Sequence, residues 1–164
     1  MSALQTLTAR KYNTYVKDFS DNAFRFAYTL VRQRETAEDI VQDVFLKLWE
    51  TGGNICKEKI KSWIFSSVYH KSIDCLRKQR NFDAIDGCKE EVYQPQMIIK
   101  EELDKFLQQL PAVQKSVLVL KDEEGYKYEE ISQILNLSME QVKVYLYRAR
   151  KQMQQMIKTK DNLL

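Results

Sequence analysis

The sequence contains little of what an all-β or a secreted protein requires. Only four glycines and two prolines occur among the 164 residues, too few for the many tight turns of a β-sandwich. No apolar run approaches the roughly 20 residues that a membrane-spanning helix needs. The amino-terminal residues also lack the uninterrupted apolar segment of a signal peptide. The composition therefore predicts a mostly helical protein that stays in the cytosol and inserts into no membrane.

Histidine and cysteine are equally scarce. His70 is the single histidine, and Cys56, Cys75 and Cys88 show no CxxC spacing, so we expect reduced thiols and no zinc site. Asp39 and Asp43 share one helical face but are better explained as exposed charges than as a catalytic pair. No glycine-rich phosphate loop is present. The sequence therefore favours a protein that is not an enzyme, with no catalytic residue, cofactor or metal ion.

Positive charge is concentrated in two segments. The net charge is only +3, but residues 57–80 carry a net +5 and residues 136–164 a net +4, on either side of a middle part, 81–135, with a net −6. Clustered positive charge attracts polyanions such as nucleic acids. Two solvated helix faces are the alternative explanation of the charge alone.

Apolar residues recur at helical spacing through most of the chain. Ser20-Asp21-Asn22 predicts a helix start, and Thr36 with Asp39 resembles a capping box for a second helix that ends at Gly52-Gly53. Ile40, Val44, Phe45 and Leu48 form the apolar stripe of that second helix. A third helical segment is predicted from Glu58 to about Arg80.

Residues 81–96 have no helical stripe and contain four acidic residues, a glycine and a proline. They are predicted to be a flexible acidic linker. The expected fold is therefore all-α, with two small helical domains, 1–80 and 97–164. In the second domain Pro111 suits the first turn of a helix and Gly125 ends it.

Residues 129–142 have the layout of a helix-turn-helix. Ile131, Ile134 and Leu135 bury one face of the first helix, Asn136-Leu137-Ser138 forms the turn, and Ser138 is a good N-cap for the second helix. The candidate DNA-binding residues on or near the opposite face of the second helix are Ser138, Met139, Glu140, Gln141, Lys143, Val144, Tyr147, Arg148, Arg150 and Lys151. An α-helical hairpin with a solvated basic face is the alternative.

The segment 61–80 interleaves aromatic and basic side chains. Single-stranded nucleic acid binds to such surfaces, because bases stack on aromatic rings while cations follow the backbone. The candidates are Lys61, Trp63, Phe65, Tyr69, His70, Lys71, Arg77, Lys78 and Arg80. Packing in a helical core is the alternative for Trp63 and Phe65.

With both segments in view, the whole chain resembles the small extracytoplasmic-function (ECF) class of RNA polymerase sigma factors. Residues 37–49 resemble the region 2 helix that docks on the polymerase clamp, and residues 63–77 resemble the part of region 2 that reads and melts the minus-ten element. Leu110-Pro111 and the helix-turn-helix resemble region 4, which reads the minus-thirty-five element. The polymerase-binding residues implied by the resemblance are Asp39, Gln42, Asp43, Phe45 and Leu46.

The resemblance implies a dissociable subunit that binds bacterial core RNA polymerase, at its clamp and flap, together with double-stranded and melted promoter DNA. It also implies a cognate anti-sigma factor. His70 stands where the family often has Asn, and Val144 where it often has a small polar residue, so no particular promoter sequence is implied. Two rival hypotheses remain: a stand-alone helix-turn-helix regulator, which would bind DNA tightly without polymerase, and a helical scaffold that binds only proteins.

Overall fold

The structure, a computed structural model, describes residues 7–86 and 98–161. All the regular structure in these residues is helical, as predicted. The chain divides into two compact units, Met1–Lys89 and Glu90–Leu164, which are described separately. The α-helices are α1 Ala9–Val31, α2 Arg34–Thr51, α3 Ile60–Asp86, α4 Ile98–Gln108, α5 Ala112–Leu118, α6 Tyr128–Leu135 and α7 Met139–Asp161.

The first unit is built from α1, α2 and α3, each of which packs against the other two. Their apolar faces meet in a core where the rings of Phe26 and Phe65 lie 5.8 Å apart between centroids. Val44, Leu48 and Val68 are also fully buried. The helical stripes seen in the sequence therefore face one another, as amphipathic helices require.

The first helix begins earlier than predicted. Its N-cap is Thr8, whose Oγ1 accepts a hydrogen bond from the Lys11 backbone N–H at 3.4 Å. Ser20-Asp21-Asn22 lies inside α1, because no glycine or proline interrupts residues 9–31 and a helix, once nucleated, gains one hydrogen bond per residue added. The helix ends at Arg32, which adopts the left-handed conformation with φ 61°.

The second helix also begins earlier than predicted. Its N-cap is Gln33, and Thr36 Oγ1 donates to Gln33 Oε1 at 2.9 Å instead of capping the helix itself. The predicted end at Gly52-Gly53 is confirmed, because α2 ends at Thr51. Two short 3₁₀ turns, Gly52–Asn54 and Lys57–Lys59, then lead into α3.

The third helix continues beyond the predicted domain end at residue 80. Residues 81–86, predicted as the start of the linker, are the last turns of α3, since the first helix-breaking residue after Arg80 is Gly87. The rest of the predicted linker, 87–96, lies outside the described residues, and so does Cys88. Cys56 and Cys75 are free thiols.

The second unit contains α4 to α7. Pro111 is the N-cap of α5, one residue before the first turn in which it was predicted, and α5 runs into a π-helical turn, Val119–Glu123. Gly125, with φ 71°, then redirects the chain into α6. The predicted turn follows α6, with Asn136 left-handed at φ 53°. The core residues buried in this unit include Leu107, Leu110, Val117, Leu120, Tyr126, Ile131, Ile134, Val142, Leu146 and Ala149.

None of the described helices has the length and the apolar character that crossing a membrane would demand.

Candidate functional site

The helix-turn-helix is formed by α6, its turn and α7. Ser132 stabilises the turn twice: its carbonyl accepts from the Leu137 N–H at 3.0 Å, and its hydroxyl donates to the Leu137 carbonyl at 2.5 Å. The Ser138 hydroxyl caps α7 by accepting from the Gln141 N–H at 3.1 Å, and Gln141 Oε1 accepts from the Ser138 N–H at 2.9 Å. This capping box fixes the direction in which α7 leaves the turn.

The capping box also limits what two predicted DNA-binding residues can do. The Ser138 hydroxyl and the Gln141 side-chain oxygen are both engaged with the helix backbone. Because the Gln141 oxygen is committed, the groups left to reach a base are the two N–H donors of its amide. Both residues lie at the exposed amino-terminal end of α7.

One face of α7 is buried against the rest of the second unit through Val142, Leu146, Ala149 and Met153. The opposite face is open. The predicted residues Glu140, Lys143, Val144, Tyr147, Arg148, Arg150 and Lys151 are all exposed, and Met139 is half-buried. The structure thus leaves a basic, partly apolar helix surface of the size that enters a major groove.

Arg150 has a partner within the same unit. Its Nε and one terminal nitrogen donate to the two carboxylate oxygens of Asp122, at 3.2 and 2.5 Å. These hydrogen bonds hold the pKa of Arg150 above its ordinary value. Asp122 lies in the π-helical turn after α5. Sequence reasoning missed this acid, because 28 residues separate it from Arg150 and no local pattern joins them.

Two further residues beside α7 were also missed. Tyr128, the first residue of α6, has the Nζ of Lys121 4.5 Å from its ring centroid and the Nζ of Lys143 5.7 Å from it. Both distances suit a cation–π interaction. Lys121 and Tyr128 therefore extend the basic surface of α7 onto neighbouring elements. The alternation of charge and aromatic residues from 121 to 128 was the available signal.

The nine residues predicted in α3 do not form one surface. Phe65 is fully buried against Phe26, so it belongs to the core and its prediction as a nucleic-acid contact is wrong. Trp63, Tyr69 and Lys71 are half-buried. The predicted residues that are exposed are Lys61, His70, Arg77, Lys78 and Arg80.

His70 is held in a defined orientation. Its Nδ1 lies 2.7 Å from the carbonyl oxygen of Ser66, one turn earlier in α3. A carbonyl oxygen can only accept, so Nδ1 donates to it, and the other ring nitrogen, Nε2, is left to meet a ligand. The Tyr69 ring meets the imidazole edge-on at 5.4 Å.

The polymerase-binding residues predicted in α2 also include both exposed and buried side chains. Asp39, Gln42, Asp43 and Leu46 are exposed, whereas Phe45 is only 5% exposed and packs in the core, so its prediction as a surface contact is wrong. A residue missed by the sequence analysis lies one turn beyond Leu46. Trp49 is partly exposed and packs edge-on against the ring of Tyr12 from α1, at 5.1 Å.

An ion pair joins the open faces of α2 and α3. Lys71 Nζ lies 3.9 Å from Asp43 Oδ2, and the two side chains are 40% and 65% exposed. A solvent-exposed pair at this distance contributes little to stability. In the described residues, no three His, Cys, Asp or Glu side chains are arranged to hold a metal ion.

Comparison with family models matches both units. Residues 15–82 match the model described as Sigma-70 region 2, and residues 100–153 match that described as Sigma-70, region 4. The two matches include most of α3 and most of α7, and they occur in the predicted order.

Individual relatives agree over most of the chain. The RNA polymerase sigma factor SigV of Bacillus subtilis (strain 168) is 31% identical over 159 residues, which cover 92% of each chain. The ECF RNA polymerase sigma factor SigM of the same organism is 27% identical over 150 residues, covering 87% of this chain and 90% of SigM.

Solved structures share the fold. The sigma factor RpoE, co-crystallised with the anti-sigma factor NepR from Bartonella quintana, matches with a TM-score of 0.80 at 24% identity, over 92% of this chain and 98% of the other. CnrH, solved in complex with the cytosolic domain of CnrY, matches with a TM-score of 0.71 at 19% identity, over 93% and 90% of the two chains.

Proposed function

Because the chain belongs to the ECF class of RNA polymerase sigma factors, we propose that its two units divide the work of promoter recognition in this way. The first unit, through Asp86, binds core polymerase and the minus-ten element, and the second, from Ile98, binds the minus-thirty-five element. The observation that supports this most strongly is the pairing of the two family matches with two helices, α3 and α7, that each expose basic residues.

The polymerase-binding surface is the open face of α2. It offers two carboxylates, an amide and an apolar side chain that is 56% exposed, from Asp39, Asp43, Gln42 and Leu46. An apolar group in a polar rim is the usual composition of a protein interface. Phe45 supports this surface from within the core and does not touch the polymerase.

The minus-ten surface is the exposed part of α3. The half-buried rings of Trp63 and Tyr69 offer edges or faces to unstacked bases, and His70 adds an exposed imidazole that the Ser66 carbonyl holds in place. Stacking on an aromatic ring contributes about 1–3 kcal/mol per base. The basic residues that follow the backbone of the melted strand are Lys61, Lys71, Arg77, Lys78 and Arg80.

The minus-thirty-five surface is the open face of α7. Lys143, Arg148 and Lys151 neutralise phosphates, and each neutralised phosphate makes binding more sensitive to salt. The two surfaces act on one DNA through the polymerase, so each can be weak while the complex is selective. Free protein is therefore expected to bind promoters poorly.

The proposal requires no covalent chemistry from this chain, so the protein acts as a binding subunit and not as an enzyme. Its place of action is the cytoplasm, where the polymerase works. An anti-sigma factor is proposed as a further partner, because two solved structures of this fold are complexes, one with the anti-sigma factor NepR and one with the cytosolic domain of CnrY.

Run-off transcription tests the proposal. Purified bacterial core polymerase is supplied with a promoter library, with and without the full chain, and start-site-specific transcripts that depend on the chain are expected. Two variants assign the roles: the double variant Lys143→Glu with Arg148→Glu reverses two charges on the open face of α7, and the control Lys158→Glu reverses one charge near its far end. The double variant is expected to abolish promoter-specific transcripts, whereas Lys158→Glu should retain them.

Two results would contradict the proposal. If core polymerase never initiates with the chain while the chain alone shifts DNA, the protein is a stand-alone regulator. If the charge reversals on α7 leave transcription unchanged, α7 does not bind the promoter.

A further inference from the structure

The exposed face of α7 has an apolar centre. Successive residues of an α-helix are rotated by about 100° around its axis. Residues spaced four, three and four positions apart therefore lie within about 60° of one another around the axis and form one line along the helix. The line directly opposite the buried face contains Glu140, Val144, Tyr147 and Lys151. At its middle, Val144 is 45% exposed and Tyr147 is 64% exposed.

Positive charge borders this apolar centre on both sides. Lys143 lies to one side of the line and Arg148 to the other, while the Nζ of Lys151 is 5.9 Å from the Tyr147 ring centroid. If flanking cations contact the phosphates that border a major groove, the centre of the helix face meets the base edges. In that arrangement, the part of α7 that meets the base edges is the line that carries Val144 and Tyr147.

The isopropyl group of Val144 cannot donate or accept a hydrogen bond. It can distinguish bases only by apolar contact and shape. The C5 methyl group of thymine is the apolar feature that base pairs present in the major groove. We propose that Val144 reads the methyl group of a thymine in the upstream promoter element, with Tyr147 one turn further along covering the same stretch of the groove. This inference rests on the proposed function of α7.

Uridine substitution tests the contact without altering the protein. Deoxyuridine pairs as thymine does and lacks only the methyl group. Each thymine of the upstream element of a promoter selected in the run-off assay is replaced in turn, and initiation by the holoenzyme is measured at subsaturating concentration. At one or more positions we expect about a fourfold loss, the effect of losing one buried methyl group.

Two variants make the test specific to Val144. Val144→Ser removes the apolar group from an exposed position, so the holoenzyme with this variant should initiate less well on the thymine promoter and show no further loss on the uridine promoter. Ile157→Ser, at another exposed apolar position of α7, should retain the full uridine effect. Thermal unfolding of both variants checks that the fold is unchanged.

Two results would overturn the inference: tolerance of uridine at every thymine, or a uridine loss that is the same in Val144→Ser as in the wild type. If every uridine is tolerated and Val144→Ser still impairs initiation, this line of α7 contacts a protein and not the methyl group. If promoter-specific transcription is observed together with either result, only the proposed methyl contact is refuted. If no chain-dependent transcript appears at all, both the proposed function and the methyl contact are refuted.

Discussion

Asp122 and Arg150 join the π-helical turn after α5 to the exposed side of α7 by two parallel hydrogen bonds, at 3.2 and 2.5 Å. This fork-to-fork geometry is the one in which a guanidinium also binds a phosphate. Asp122 thus occupies two of the five N–H donors of Arg150, the pair that a two-pronged phosphate contact would use. The side chains are 48% and 41% exposed, so the pair adds at most about 1 kcal/mol to stability.

Asp122→Asn is expected to strengthen promoter binding. The variant releases Arg150 and removes one negative charge from beside the proposed DNA-binding face of α7, so the slope of log affinity against log salt should become steeper by about 1. The measurement is promoter binding by the holoenzyme over a salt series. Glu123→Gln is the control, because it removes the same charge from the same turn. Unlike Asp122, Glu123 forms no hydrogen bond to Arg150 in the part of the chain that the structure describes. Equal effects of the two variants would show that the ion pair does not compete with phosphate.

Substitutions at the neighbouring residues Phe45 and Leu46 of α2 should affect stability and polymerase binding separately. Phe45→Ala is expected to lower the free energy of unfolding by about 3–5 kcal/mol, because a buried aromatic side chain is lost. Leu46→Ala should change it by no more than about 0.5 kcal/mol, since the side chain is exposed. Urea unfolding measures both.

Binding to core polymerase should depend on Leu46, although the stability of the fold does not. Leu46→Ala is expected to weaken the complex by about 1 kcal/mol or more, as truncation of a central interface residue does. Titration of fluorescently labelled protein with core polymerase measures this loss. Binding by Leu46→Ala that equals wild-type binding would contradict the role proposed for the open face of α2.

Phe45 and Phe65 show what the sequence could and could not predict. The apolar stripe of α2 already placed Phe45 with Val44 and Leu48, and that periodicity correctly predicted its burial. The family resemblance placed it on the surface instead, and this was wrong. Phe65 was assigned to nucleic acid from its basic neighbours, but an aromatic residue between charges can still face the core of a helical bundle.

Contacts between distant residues were beyond the sequence. The Ser138 cap, the turn at Asn136 and the buried residues of α6 all depend on local spacing, and all were predicted. The Asp122–Arg150 pair depends on how the π-helical turn packs beside α7, and no local rule encodes that packing. The helix starts at Ala9 and Arg34 were not predicted. The cap signals at Ser20 and Thr36 do not prevent a helix from starting earlier, because the preceding residues can also form the backbone hydrogen bonds of the helix.

Two buried serines of α3 and α5 should respond oppositely to the same change. The Ser72 hydroxyl is buried and has no hydrogen-bond partner among the described residues, whereas the Ser116 hydroxyl donates to the Ala112 carbonyl at 2.7 Å. An unsatisfied buried polar group costs about 1–3 kcal/mol. Ser72→Ala is therefore expected to raise the free energy of unfolding by about 1 kcal/mol.

Ser116→Ala is the matched control and should be neutral or destabilising, since it removes a hydrogen bond that is made. Urea unfolding of the two variants gives the comparison. Destabilisation by Ser72→Ala would mean that its hydroxyl is satisfied in solution.

Tyr126 should make the second unit sensitive to alkaline pH. Burial raises the pKa of its phenol well above the ordinary value of 10.0, and the charges of Glu124 and Glu130 raise the pKa further. Above pH 10 the unfolded chain loses this proton while the folded chain keeps it. The stability that this group contributes is complete below pH 10 and should fall by about 1.4 kcal/mol per pH unit above it.

Comparison of variants isolates that loss from other titrations. Tyr126→Phe keeps the buried ring and removes the ionising group, so its free energy of unfolding should fall less steeply above pH 10 than that of the wild type. Tyr147→Phe removes an exposed phenol and should retain the wild-type slope. Urea unfolding monitored by circular dichroism across this pH range gives the three slopes. If Tyr126→Phe and the wild type lose stability in parallel, the phenol of Tyr126 ionises in the folded protein, and the packing around it must admit solvent.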